Sequence, residues 1–194
     1  MKLIFSILFS IIILSLHAQD KTLPYDEIPA QPQTFTAGTV AARLIDAVGF
    51  RFYWATDGLR ETDLSFKPNA DARTSEQTIA HIYEMSILIV NSVTNKVNVD
   101  GQDVKLPFNE MRKQTLINFK ITSDKLRTAS DRDMESFKVM FKDTDRIIEY
   151  PFWNQINGPI TDCLWHIGQV VSFRRSSGNP FTEKANLFMG VIDK

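Results

Sequence analysis

The chain has 194 residues, with 22 Lys and Arg against 23 Asp and Glu, a formal net charge of −1 and one cysteine. That near-neutral balance leaves no electrostatic footprint for nucleic acid, and a single cysteine rules out an intramolecular disulfide. The length suits one domain with a full core of its own.

The first residues, MKLIFSILFSIIILSLHAQD, place Lys2 before an apolar run from Leu3 to Leu16 and then a short polar stretch holding Ala18. This pattern predicts a secretory signal peptide over residues 1–18, cleaved after Ala18. The run is short for a bilayer, and no other segment approaches the roughly 20 apolar residues of a membrane span. The expectation is an exported protein, periplasmic or extracellular, with no membrane attachment after cleavage. Of the three histidines, His17 leaves with the leader, so the mature chain keeps His81 and His166.

Residues 19–36 are proline-rich and aperiodic, an extended lead-in to a domain over 37–194. From about Thr36 to Thr56, Val40, Leu44, Val48, Phe52 and Ala55 recur at helical spacing, and Asp57-Gly58 supplies a stop. Pro68 keeps the following LSFKPNADAR out of helix. A second helix opens at Thr74, three residues before Gln77 as in a capping box, and runs to about Thr94. Its residues Ile79, Ile82, Ile89 and Val93 make one buried stripe; His81, Met85 and Leu88 make an adjoining one. A third helix starts near Pro107 and ends about Ser130, with sparser apolar positions. The segment from Glu135 to Phe152 alternates on both sides of Lys142-Asp143-Thr144-Asp145 and predicts a β-hairpin. The last long helix begins around Pro159 to Thr161 and stops at Gly178, with Arg174 and Arg175 in its final turn. The tail FTEKANLFMGVIDK adds a short helix. Together these elements predict an all-α four-helix bundle with a small β-hairpin between its third and fourth helices.

Asp162 and His166 stand one turn apart, so their side chains emerge on one helix face. His81 is the one other mature histidine, and it sits on an inward stripe of the second helix. Two histidines and a carboxylate would hold zinc, nickel, iron(II) or manganese with positions left open. The competing reading makes Asp162 a helix-start acid that favours the free amides and His166 a satisfied core residue.

Several neighbours carry two readings as well. Glu84, three residues after His81, is a fourth ligand, an orienter of that histidine or a general base, or else a partly exposed helix acid. Gln169 hydrogen-bonds a bound water or makes a structural helix contact. Tyr53, Trp54 and Trp165 line a pocket or fill the core. Arg174 and Arg175 meet an anionic substrate or complement the helix dipole. Cys163 reads as a small buried hydrophobe.

Three stretches together resemble the DinB-like proteins, the DinB/YfiT superfamily of four-helix-bundle metalloproteins. They are DGLRETDLSFKP after the first helix, ARTSEQTIAHI opening the second, and DCLWHIGQVVSFRRSSGNP, which is similar to the family's closing H-x-x-x-H-x-G-Q helix. The likeness spans about Ala37 to Pro180. It implies a bundle with an uncommon helix order and a metal held by one histidine of the second helix and two of the last. On this chain His81 matches the first ligand and His166 the third, while Asp162 stands where the family has a histidine. Aspartate either completes a 2-His-1-carboxylate set or marks a site that has lost its metal. The resemblance also implies a metal-dependent transferase or isomerase using a low-molecular-weight thiol. Export favours a metal-dependent hydrolase acting on a small molecule, since hydrolysis needs only water. The alternative is a non-catalytic bundle that binds a small ligand or serves as a scaffold. An apolar face left exposed on the first helix would mark a homodimer.

Overall fold

Helix α1, Ala37–Thr56, begins where Thr36 turns its hydroxyl to the amide of Thr39 and Thr39 answers with its own side chain, so two otherwise unpaired amides are satisfied. A computed structural model describes residues 23–101 and 105–193 of the protein; the signal-peptide reading of residues 1–18 falls outside them. Helix α2 is the short turn Glu61–Leu64, and α3, Ser75–Thr94, opens with the Thr74/Gln77 capping box expected from sequence. Asn95 ends α3 in the left-handed conformation. The strand β1, Val97–Asn98, leads to α4, Phe108–Arg127.

Helix α4 stops before the predicted Ser130 because that serine caps another helix, α5, Asp131–Ser136, by accepting from the Asp133 amide. The predicted hairpin is present as β2, Lys138–Asp143, and β3, Arg146–Pro151, in antiparallel register from Lys138 opposite Pro151 to Asp143 opposite Arg146. β1 joins it in parallel through Val97 and Asn98 to give a three-stranded sheet. A short helix α6, Trp153–Gln155, and a π-helical turn at Ile156–Ile160, broken at Gly158, lead into α7, Thr161–Ser176.

The tail corrects an expectation. Instead of a helix it forms two short antiparallel strands, β4, Ala185–Asn186, and β5, Val191–Ile192, joined by a turn in which Gly190 has φ +74°. A left-handed residue at that position breaks a helix and suits a turn.

The fold is thus mostly helical with a small sheet. Its four long helices pack in the cyclic order α1, α4, α3, α7, so the first and second long helices face each other across the core. Ile45, Val48, Phe52, Ile79, Ile82, Ile89, Leu116, Phe119, Leu126 and Val170 form its centre, each at most 1% exposed. Phe52 meets Phe119 edge to face at 6.3 Å. Val40, expected on the buried stripe of α1, is 59% exposed; Ala41 and Ala42 take the inward positions at that level. The apolar sparsity of α4 has a cause: small hydroxyl residues fill its buried face. Thr115, Thr122 and Ser123 are fully covered, and the two threonines bond back to the carbonyls of Met111 and Asn118.

Two buried carboxylates fasten the bundle. Asp63 of α2 accepts from Arg60 Nε and Nη2 at 2.9 and 2.8 Å, from Ser177 Oγ at 2.6 Å and from Asn179 Nδ2 at 2.7 Å. It therefore ties α2 to the end of α7. The Arg60 guanidinium above all, then the Ser177 hydroxyl, holds this carboxyl well below the usual carboxylate range. A depressed folded pKa means that the unfolded chain takes up the proton first, so this stabilisation is complete above the unfolded value of about 3.9 and is lost as pH falls below it. Asp63→Asn should lower the melting temperature at pH 7 and flatten its decline between about pH 5 and pH 2. Thermal unfolding across that range, with the native chain showing no steeper acid limb than the variant, would contradict this assignment.

Candidate metal centre

α3 and α7 pack side by side, and their facing stripes bring together the histidines that lie far apart in sequence. On α7, Cys163, Ile167, Val170 and Arg174 point into the core. Asp162, His166 and Gln169 form the next stripe round the helix at i, i+4 and i+7 spacing. On α3, His81 stands on the half-buried stripe with Met85 and Leu88, beside the fully buried Ile79, Ile82 and Ile89.

His81 Nε2 lies 3.1 Å from Asp162 Oδ2, and His166 Nε2 lies 3.5 Å from Asp162 Oδ1. The imidazoles meet nearly perpendicular, 87° between planes, with centroids 4.8 Å apart. One donor atom from each of the three residues falls within 4.8 Å of the others, the one such group of three metal-capable side chains among the described residues. Ligand atoms at 2.0–2.2 Å from a tetrahedral zinc are about 3.3 Å apart, so the two shorter separations already match a chelating set. The side chains are 23%, 39% and 15% exposed for His81, Asp162 and His166, so the site sits at the surface with an approach from solvent.

Asp162 stands in the first turn of α7, as the helix-start reading has it, and its carboxylate also meets both imidazoles. α7 has no side-chain cap; its first turn continues from the π-helical turn, and Ile160 at the boundary is itself in helical conformation. The carboxylate's two oxygens each face a different Nε2.

The outer nitrogen of His166 is oriented too. Gln169 Oε1 lies 2.7 Å from His166 Nδ1, and an amide oxygen can only accept, so Nδ1 carries the hydrogen and Nε2 presents its lone pair to the site. Glu84 Oε2 stands 3.5 Å from His81 Nδ1, farther than the Asp162 carboxylate oxygen 3.1 Å from His81 Nε2. Glu84 also lines two clefts on the α3 surface. One, of about 530 Å³, runs past Thr74, Gln77, Ala80 and Tyr83; the other, of about 520 Å³, runs past Met85, Leu88, Asn91 and Phe141. Its side chain is 47% exposed, so it is both a partly exposed helix acid and a neighbour of His81.

The remaining sequence candidates lie elsewhere. Tyr53 is buried with the Arg112 guanidinium 4.8 Å over its ring, Trp54 donates its indole N–H to the Asp26 carbonyl, and Trp165 is 71% exposed. None of the three lines either cleft. Arg174 is structural: 5% exposed, it donates to the carbonyls of Trp54, Ala55 and Asn179 and closes the end of α1 against α7. Cys163 is fully covered, and burial pushes its thiol well above the usual range, as for an inert hydrophobe. Among the described residues no helix is long and apolar enough to cross a membrane. No family model, curated protein or solved structure matches the chain.

Proposed function

We infer that the protein is an exported metalloprotein of DinB-like type, a metal-dependent hydrolase acting on a small molecule, with His81, Asp162 and His166 as the ligands of a divalent metal. The observation that carries this reading is the convergence of those three donors from two helices, with His81 and Asp162 81 residues apart in sequence. The cyclic helix order, with the first and second long helices on a diagonal, supports the family assignment, since an uncommon order is what the resemblance implies. The apolar run from Leu3 to Leu16 supports export.

Two neutral imidazoles and one carboxylate suit zinc, iron(II), nickel or manganese, and three protein ligands leave room for water and substrate. A divalent cation in this set supplies Lewis acidity, polarising a substrate oxygen and lowering the pKa of a water or thiol presented to it. The chain's own part is orientation. Gln169 keeps the hydrogen of His166 on Nδ1, so that Nε2 stays available, while His81 would release its Nε2 hydrogen from Asp162 as a cation enters. Asp162 contributes the negative charge that offsets part of the cation's. Glu84 also stands on the wall of both clefts, where its carboxylate can take a proton from an incoming water.

Hydrolysis and thiol transfer are separated by one assay. The metal-reconstituted protein, offered small ester, amide and epoxide substrates with and without a low-molecular-weight thiol, should turn over a substrate in water alone. Turnover that requires the thiol would move the reading to a transferase; no turnover, with metal bound, would leave a binding protein.

A further inference from the structure

The face of α7 turned away from the two imidazoles borders a separate groove. Leu164, Gly168 and Val171 line one side of a groove of about 440 Å³, and Phe181 and Leu187 of the C-terminal segment line it as well. That volume lies within the roughly 300–1,000 Å³ of small-molecule sites. Two arginines complete the lining, Arg51 from α1 and Arg175 from the last turn of α7. Neither has a carboxylate partner among the described residues: Arg51 donates to the Ala47 carbonyl of its own helix, and Arg175 stands exposed. The groove is therefore apolar along its length, and its charged members are uncompensated cations.

Gly168 gives an independent indication. It lies in the interior of α7, where glycine is a poor helix former, yet a Cβ placed there would meet nothing within 4 Å. Close packing within the chain does not require it. By contrast, a Cβ at Gly49 would stand 2.6 Å from the Tyr25 ring, so that glycine has an internal reason. The notch at Gly168 opens into the groove and widens it without serving the fold.

We propose that this groove binds a small amphiphilic anion, its carboxylate held by Arg51 and Arg175 and its alkyl chain lying over Gly168. Guanidinium groups pair carboxylates with directed, charge-assisted hydrogen bonds, while the apolar lining gains from covering a hydrocarbon chain. Nothing in this assignment depends on a metal, because Asp162, His166 and Gln169 occupy another face of α7.

Decanoate is the probe, with decyltrimethylammonium as the chain of opposite charge, followed by titration calorimetry on the purified protein with and without one equivalent of zinc. Decanoate should bind one to one with the same affinity in both states, and the cation should show no heat of binding. Arg175→Glu should weaken decanoate at least about tenfold, as loss of a charge-assisted pair does. Gly168→Leu should remove binding while the melting temperature holds or rises, because leucine is the better helix former and no neighbour obstructs it. His166→Ala should lose zinc and keep decanoate, which separates this site from the metal centre. The proposal is overturned if decanoate fails to bind at about 1 mM, a −4 kcal/mol interaction, if Gly168→Leu binds it unchanged, if its affinity follows zinc occupancy, or if sedimentation shows a dimer that covers the groove.

Discussion

Asp162→Ala and His166→Ala should each lower zinc affinity by more than about 100-fold, while Gln169→Leu should lower it by about 10- to 100-fold. The ordering follows from position. Asp162 supplies one oxygen toward each imidazole and His166 one of two nitrogens, so removing either leaves two donors. Gln169 does not face the shared point; it fixes the His166 tautomer through a 2.7 Å contact, and its loss frees the ring to present N–H where a lone pair is needed. Fold should survive all three changes, since the side chains are partly exposed and none belongs to the core cluster. Competition titration against a chromophoric chelator measures the series. Equal affinity for Asp162→Ala and the native chain would return Asp162 to a helix-surface acid.

Arg127→Ala should destabilise the protein by about 3 kcal/mol, the scale for stripping one partner from a buried ion pair. Asp46 of α1 is fully buried; it accepts from Arg127 Nη2 at 2.6 Å, from Ser123 Oγ at 2.5 Å and from Tyr25 Oη at 3.2 Å. Without the arginine its charge is left with two hydroxyls in a site closed to water. Burial, and after it the Asp46 carboxylate, raises the Tyr25 phenol above its usual range, so Tyr25 remains a donor. Tyr25 in turn lies flat against Gly49, which fastens the described part of the lead-in to α1. Asp46→Asn should recover part of the loss in the Arg127→Ala background and cost stability on its own. Denaturant melts of the four chains give the coupling directly, and strictly additive effects would contradict the pairing.

How much of this was legible in the sequence differs by element. Periods and end signals were enough for α1, α3 and α7: Asp57-Gly58 after α1, the Thr74/Gln77 capping box with the repeat of Ile79, Ile82, Ile89 and Val93 in α3, and Gly178 after α7. The hairpin followed from alternation about a polar turn. The end of α4 did not, since Ser130 serves as the cap of a further helix, Asp131–Ser136, whose one apolar residue, Met134, makes no hydrophobic pattern. β1 is only two residues long and exists through pairing Val97 with Met140 and Asn98 with Phe141, far along the chain, which no local signal carries. The tail failed as a helix because its apolar residues cluster at a turn, where Leu187, Phe188 and Met189 are exposed.

The site was more legible than the fold around it. Only His81 and His166 lie beyond the N-terminal apolar run, and one shares a helix face with an acid, so composition and the i, i+4 rule pointed to the three residues that the fold brings together. What spacing could not supply was the position of His81 beside Asp162; that took the packing of α3 on α7. Asp63, quoted as part of a connecting motif, turned out to be a buried hub whose partners at Ser177 and Asn179 lie more than a hundred residues on. Arg51 drew no notice in sequence, and Gly168 entered only as a letter of the H-x-x-x-H-x-G-Q motif. A glycine inside a helix was the available signal, and its meaning rests on the empty space beside it.

The most direct test of the metal centre is anomalous diffraction at the zinc edge from crystals of the zinc-loaded protein. The account predicts one strong peak within about 2.0–2.2 Å of His81 Nε2, His166 Nε2 and an Asp162 oxygen, with Gln169 still on His166 Nδ1. A zinc-loaded crystal with Asp162 remaining against His81 and no peak among the three side chains would contradict it.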